Sequence, residues 1–171
     1  MEWITFAEKC IWFGLAALGF AVIFNVPKRT MLSIYLMGAA GGITKVLLMH
    51  FLGVSVIMAT LAGAIVIGLI SIYAAHNKHS PPLVFSIPAV IPMVPGIFAY
   101  KMMLGLMKLS GTVPPESFEQ VLSDTISSGL KVLFILMSLA GGVAIPMLIT
   151  RKESAKHIRI RRINDEENSD G

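Results

Sequence analysis

The sequence predicts an all-α integral membrane protein with about five transmembrane helices, the fourth of which is broken by prolines. Of the 171 residues, 55% are hydrophobic and only 14% are charged, and the mean hydropathy is +0.76. Soluble domains carry about a quarter charged residues, so this composition is typical of a lipid-solvated protein. The apolar residues also fall into long blocks, and a bilayer crossing needs about 20 mostly apolar residues.

Five segments reach or approach this length. The first ends just before Pro27, the second contains Lys45 as its one charge, and the third contains no charge. The residues after the first segment lack the small-residue cleavage pattern of a signal peptide, so we expect that helix to be retained. The predicted spans are residues 3–24, 31–49, 54–75, 82–106 and 127–150. Residues 1–150 therefore form one transmembrane domain, followed by a tail at 151–171 that is first basic and then acidic.

An amphipathic stretch precedes the fifth span. Residues 111–115 break the chain with glycine and two prolines, and apolar residues then recur at helical spacing from Phe118 to Ile126. Polar residues lie between them, which is typical of a helix at a membrane surface. We expect this stretch to be a lead-in to the fifth span at the outer interface.

The distribution of basic residues predicts the orientation. Lys and Arg in short loops stay on the cytoplasmic side of a membrane. With five spans, nine of them lie on the side of the tail and four lie on the opposite side. We therefore predict an N-terminus outside and a C-terminus in the cytoplasm. We expect the basic part of the tail to bind anionic membrane lipid.

The sequence argues against several kinds of chemistry. Cys10 is the only cysteine, so an intrachain disulfide is excluded and a Cys-based metal site lacks ligands. His76 and His79 have no further ligand near them, so we expect no metal site. The spans contain no acidic pair and no serine with a base, so we expect neither an enzyme nor a cofactor. The basic residues lie in loops and a tail, which argues against nucleic-acid binding.

Small residues recur at a spacing of four in three spans. Little hydrophobic force acts between helices in lipid, so close packing depends on small side chains that let backbones approach. The pattern predicts a tight bundle, formed either within one chain or at a subunit interface. The pairs are Gly38 with Gly42, Ala59 with Gly63, and Ser138 with Gly142.

The fourth span contains Pro88, Pro92 and Pro95, followed by Gly96. Each proline inside a helix removes a backbone donor and clashes with the preceding turn, so a continuous helix is not expected here. Broken backbone in a membrane must face protein or a watery cavity. Transporters use such breaks to bind substrates. The alternative is a kinked helix with a structural role only.

Three side chains near the break are candidates for substrate binding. A buried Lys45 would suit an anionic substrate group, or it could snorkel to the outer interface. Tyr100 could donate a hydrogen bond to a substrate or belong to the aromatic belt. Lys101 lies nearer the end of the span and is a weaker candidate, since snorkelling accounts for it as well.

Three features together resemble a known family. They are Phe24-Asn25-Val26-Pro27 followed by two basic residues, the glycine-rich second span with Lys45, and Ile91-Pro92-Met93-Val94-Pro95-Gly96 leading to Tyr100. Over about residues 10–150 the chain resembles the smaller, C-terminal-type module of the threonine/serine exporter family. Members tend to carry a basic residue at the position of Lys45, whereas the residue after Tyr100 varies. The tail beyond Arg151 is longer than the family pattern.

The resemblance implies an exporter of threonine and serine, or of succinate-like dicarboxylates, in the bacterial inner membrane. It implies the small subunit of a two-component form, with a larger membrane subunit of the same family as partner, working by alternating access. The expected substrate-binding residues are Lys45, Pro92, Pro95, Gly96 and Tyr100, with Pro88 and Lys101 as further candidates. A structural or assembly subunit and a homo-oligomeric channel are the competing functions.

Overall fold

The computed structural model describes residues 2–78, 80–111 and 114–167, and the side chains of residues 4–78, 80–111, 114 and 116–150. The described part is helical and contains no β-strand, which confirms the all-α prediction. The α-helices are α1 (Glu2–Ile23), α2 (Met31–Phe51), α3 (Val56–Lys78), α4 (Pro82–Val90), α5 (Gly96–Leu109) and α6 (Pro115–Glu167). Two short 3-10 helices lie at Lys28–Thr30 and Ile91–Met93. His79 and the side chains of the tail lie outside the described residues.

Four helices, α1, α2, α3 and α6, are long and apolar enough to cross a membrane. The fourth predicted span is the pair α4 and α5, which are bent by 58° with respect to each other. α3 and α6 pack in parallel. Ala64 of α3 faces Gly142 of α6, and one turn later along both helices Gly68 faces Pro146. The chain must therefore return across the membrane between these two helices. The bent pair makes this return, which gives five crossings.

The lead-in, the fifth span and the backbone of the tail form one continuous helix. α6 has 53 residues, and its section Glu116–Thr150 contains a stretch that is apolar enough to cross a membrane. Pro115 occupies its first position, where a missing N–H costs no hydrogen bond. The amphipathic lead-in forms the first turns of α6 and packs against α5, while the middle of α6 packs against α3.

The turn after α1 explains one of the sequence motifs. Asn25 has a left-handed backbone with φ of 52°, a conformation that Asn adopts more readily than other non-glycine residues. Its amide donates to the Val22 carbonyl at 3.0 Å, and the Val26 amide donates to the Ala21 carbonyl at 3.0 Å. These two bonds are those of a Schellman cap. Asn25 therefore ends α1, and Pro27 follows where the helix cannot continue.

The small residues bring the helices into backbone contact within one chain, as the spacing predicts for a tight bundle. A Cβ added at Gly63 on α3 would lie 2.6 Å from the Gly41 carbonyl oxygen on α2 and 2.6 Å from the Met93 Cε. A Cβ at Gly38 would lie 2.5 Å from the Ala17 Cβ on α1. Helices α1, α2 and α3 are thus packed as closely as their backbones allow, with the bent segment against them.

Gly63→Ala should destabilise the protein. Its Cβ meets a backbone oxygen that cannot rotate away, and overpacking of this kind costs about 1–3 kcal/mol. Gly19→Ala is the matched control, because a Cβ at that α1 position has no neighbour within 4 Å and alanine is the better helix former. Thermal unfolding of both variants in detergent measures the difference. Equal midpoints for Gly63→Ala and the unmodified chain would contradict the close contact.

Candidate functional site

The bend between α4 and α5 is built by three prolines. Pro88 is fully buried inside α4, and Pro92 lies in the 3-10 turn that follows. The Val94 amide donates to the Ile91 carbonyl at 3.0 Å, which closes that turn. Pro95 then has φ −82° and ψ 63°, the geometry of an inverse γ-turn, and the Gly96 amide donates to the Val94 carbonyl at 2.9 Å. The chain changes direction here and starts a new helix.

The N-terminus of α5 opens at this bend. Its first helical hydrogen bond runs from the Ala99 amide to the Pro95 carbonyl at 3.1 Å, so the amides of the preceding turn have no partner one turn back in the helix. A helix N-terminus also carries partial positive charge. Gly96 is exposed, and a Cβ added to it would meet no atom within 4 Å. The backbone is therefore accessible where these donors lie.

Lys45 reaches this segment from α2. Its ammonium donates to the Met93 carbonyl oxygen at 3.2 Å. In a continuous helix that oxygen would accept the amide four residues later, but the γ-turn prevents this. Lys45 lies about 21 Å along α2 from its first residue and about 9 Å from its last, within the span. The Lys45 side chain thus points to the break in the fourth span, and its hydrogen bond to Met93 gives the broken backbone a donor.

The charge of Lys45 has no carboxylate beside it in the sequence. No Asp or Glu occurs between Glu8 and Glu116, which covers most of α1 and all of α2 to α5. An ammonium group carries three N–H donors, and the Met93 carbonyl uses one of them. Two donors of Lys45 are therefore left for another acceptor, close to the N-terminus of α5. This arrangement is chemically suited to a carboxylate.

The structure brings together most of the residues expected to bind substrate. Pro88 and Pro95 are buried, Pro92 is half-buried, and Gly96 is open, all of them beside or within the segment that Lys45 contacts. Tyr100 is different, because its side chain is 65% exposed on α5, and among the described residues it forms no hydrogen bond. Lys101 lines a separate cavity between α5 and α6. No group of ligands for a metal ion occurs in the described part of the chain.

Two features of the site have no sequence motif of their own. Met93 matters through its backbone carbonyl, and the end of its buried side chain lies against Gly63 of α3. Ser86 on α4 is fully buried, and within the described structure its hydroxyl has no hydrogen-bond partner. A lone polar residue two positions before a proline in an apolar span is a signal that could have indicated Ser86.

Thiol labelling can test whether the bend faces water. Cys10 is the only cysteine, so Cys10→Ser provides a background without thiols. We expect Gly96→Cys to react with a hydrophilic thiol reagent about tenfold faster than Ala89→Cys, because a thiol reacts as its thiolate and needs access. Ala89 is the matched control, since it is fully buried one turn before the bend. Reaction of Gly96→Cys with an apolar maleimide only would place the position in lipid instead.

Comparisons with known proteins identify the family of this chain. The family model described as "Threonine/Serine exporter, ThrE" matches residues 9–149. An "Uncharacterized protein" of Haemophilus influenzae is 32% identical over 137 residues, which cover 80% of this chain and 44% of that protein. The chain thus spans less than half the length of this curated relative. No solved structure matches the chain. Because the family model covers most of its length, this chain belongs to the threonine/serine exporter family, a family of membrane transport proteins.

Proposed function

We propose that this chain is a membrane subunit of an exporter of small metabolites that carry a carboxylate. Threonine and serine are the first candidates and succinate-like dicarboxylates are the second. The observation that carries the proposal is the Lys45 ammonium, which lies inside a span, contacts the broken fourth span and has no carboxylate partner in α2 to α5. A buried cation of this kind is costly, and such residues in membranes usually serve transport.

The substrate carboxylate would bind between Lys45 and the first turn of α5. Lys45 offers two N–H donors, and the amides at the start of α5 offer partial positive charge. Gly96 leaves the approach to these amides free of side chains. Half-helices in other transporters bind anionic substrate groups at the same kind of position. Met93 would keep its bond to Lys45, so binding would not leave the carbonyl unpaired.

Export would proceed by alternating access around this point. The bend divides the fourth span into α4, which packs among α1, α2 and α3, and α5, which packs against α6. Rotation of α5 and the first turns of α6 about the contact between α6 and α3 would open the Lys45 region first to one side of the membrane and then to the other. The γ-turn at Pro95 provides a hinge between the two parts.

A second, larger membrane subunit is part of the proposal. More than half of the Haemophilus influenzae relative lies outside the region that this chain matches. In addition, no carboxylate that could relay protons occurs in α2 to α5 or in α6 between Asp124 and Thr150, and Glu8 and Asp124 lie toward the ends of their helices, so we place any coupling carboxylate in the partner. The excess of basic residues on the side of the tail favours one orientation in a bacterial inner membrane, with the N-terminus outside and the C-terminus on the cytoplasmic side.

Replacement of Lys45 should weaken substrate binding. Lys45→Gln keeps a donor for Met93 but removes the charge, and hydrogen bonds to charged groups contribute about 1.5–3 kcal/mol, or about 10- to 100-fold in affinity. We expect the KM for efflux of labelled threonine, serine or succinate to rise by that factor, with Lys45→Arg less affected. Lys28→Gln, at an exposed position in the short 3-10 helix between α1 and α2, is the control. Unchanged efflux in a folded Lys45→Gln variant would remove this residue from the site.

Isolation of the chain from its native membrane tests the partner. We expect a mild-detergent purification to recover a second polytopic protein in a fixed ratio, as quantified by mass spectrometry. Efflux should then require both proteins after reconstitution in vesicles. Recovery of copies of this chain alone, with saturable efflux from them, would contradict the two-subunit model and favour a homo-oligomeric carrier. Fast, non-saturating flux would favour a channel.

A further inference from the structure

A polar cavity of about 390 Å³ lies between α5 and the first turns of α6, on the far side of the bend from α4. The two helices run antiparallel, with Phe98 beside Lys131 and Gly105 beside Thr125. A Cβ at Gly105 would overlap the Thr125 hydroxyl, so the helices touch at this point. The cavity opens along this contact and is lined by polar side chains from both helices.

The cavity has a surplus of positive charge. Lys101, Lys108 and Lys131 line it together with one acidic residue, Asp124, which leaves a formal charge of +2. In the described structure none of these four side chains forms an ion pair within 4.0 Å. The Lys131 ammonium lies 5.4 Å from the centre of the Phe98 ring. Lysines that line one cavity and outnumber its carboxylates are suited to bind an anion through charge-assisted hydrogen bonds.

The position along α6 places the cavity at a membrane surface. The apolar part of α6 ends at Thr150, and about 20 residues of a helix cross the hydrocarbon. Counting back from Thr150, the hydrocarbon ends near Lys131, and Asp124 lies about two turns beyond it. The cavity is therefore at the depth of the lipid headgroups, on the side opposite to the C-terminal end of α6.

An apolar groove borders the cavity and reaches the edge of the hydrocarbon. This second space, of about 480 Å³, shares Ser127 and Lys131 with the cavity. It runs along α6 past Leu130 to Phe134, and Ile57 of α3 forms its other wall. Leu130 and Phe134 are 51% and 48% exposed and lie one turn apart, on the part of α6 that enters the bilayer. A cationic cavity at headgroup depth thus lies beside an apolar groove that starts at the same depth and reaches the first turn of α6 inside the hydrocarbon.

We propose that the cavity and the groove together bind one anionic phospholipid. Its phosphate lies among the three lysines, and one acyl chain lies along Leu130 and Phe134. The buried hydroxyls of Thr125 and Ser128 line the same cavity and add polar contacts. A free phosphate ion has the same chemistry toward the lysines, but it would leave the groove empty. The position of the apolar groove directly beside the cationic cavity, with Ser127 and Lys131 lining both, is what favours a lipid.

Native mass spectrometry of the purified full chain tests this site. With phosphatidylglycerol and phosphatidylcholine offered together, we expect about tenfold greater retention of phosphatidylglycerol, since a charged hydrogen bond contributes a difference of this size. The double variant Lys101→Gln with Lys131→Gln should abolish the preference. The matched control is Lys28→Gln with Lys78→Gln, which removes two exposed lysines at the opposite membrane surface. This control should keep the preference for phosphatidylglycerol.

A groove variant separates lipid from free anion. Leu130→Trp leaves every charge in place but fills the groove, so it should lower phosphatidylglycerol retention about as much as the lysine variant does. Circular dichroism and elution volume check that each variant is folded. Equal retention of the two lipids, or no effect of the lysine variant, would overturn the proposal. Displacement by inorganic phosphate, together with no effect of Leu130→Trp, would assign the cavity to a free anion and overturn the lipid.

Discussion

Broken backbone inside a membrane must find its hydrogen-bond partners within the protein, and this constraint governs the structure. The turn at Pro95 deprives the Met93 carbonyl of its helical partner, and the Lys45 ammonium replaces it. The same bond gives Lys45 a place in a region where a solitary ammonium is unfavourable. Each feature is unfavourable alone, and together they compensate each other. The bend and the charge are therefore parts of one unit.

This unit depends on how closely the neighbouring helices pack. Gly41 and Gly63 allow the backbones of α2 and α3 to touch, and the end of the Met93 side chain fits against Gly63. Larger residues there would separate α2 from the broken segment and lengthen the distance that Lys45 must span. Glycine at these positions thus acts on the site through packing, although neither glycine carries a functional group. Loss of this close packing would change the geometry of the site even if none of the site residues were replaced.

Much of the fold could be predicted because its signals are local. Apolar length predicts the crossings, and closely spaced prolines predict the break. The acceptor for Lys45 could not be predicted, because a backbone carbonyl has no signature in the sequence. The exposure of Tyr100 could not be predicted either, because the sequence allowed it to donate to a substrate or to belong to the aromatic belt; its side chain is 65% exposed on α5 and forms no hydrogen bond in the described structure. The 58° bend is the reason, since it directs α5 toward α6 and away from α2.

The length of α6 has a mechanical consequence. A helix of 53 residues is about 80 Å long, more than twice the thickness of the hydrocarbon. Its first turns pack against α5 and its middle against α3, so α3 provides a fulcrum between two arms. Rotation by about 5° about that fulcrum would displace an arm of 40 Å by about 3.5 Å at its tip. A displacement of α6 at one membrane surface would in this way cause a displacement at the other surface, without any chemical group passing between them.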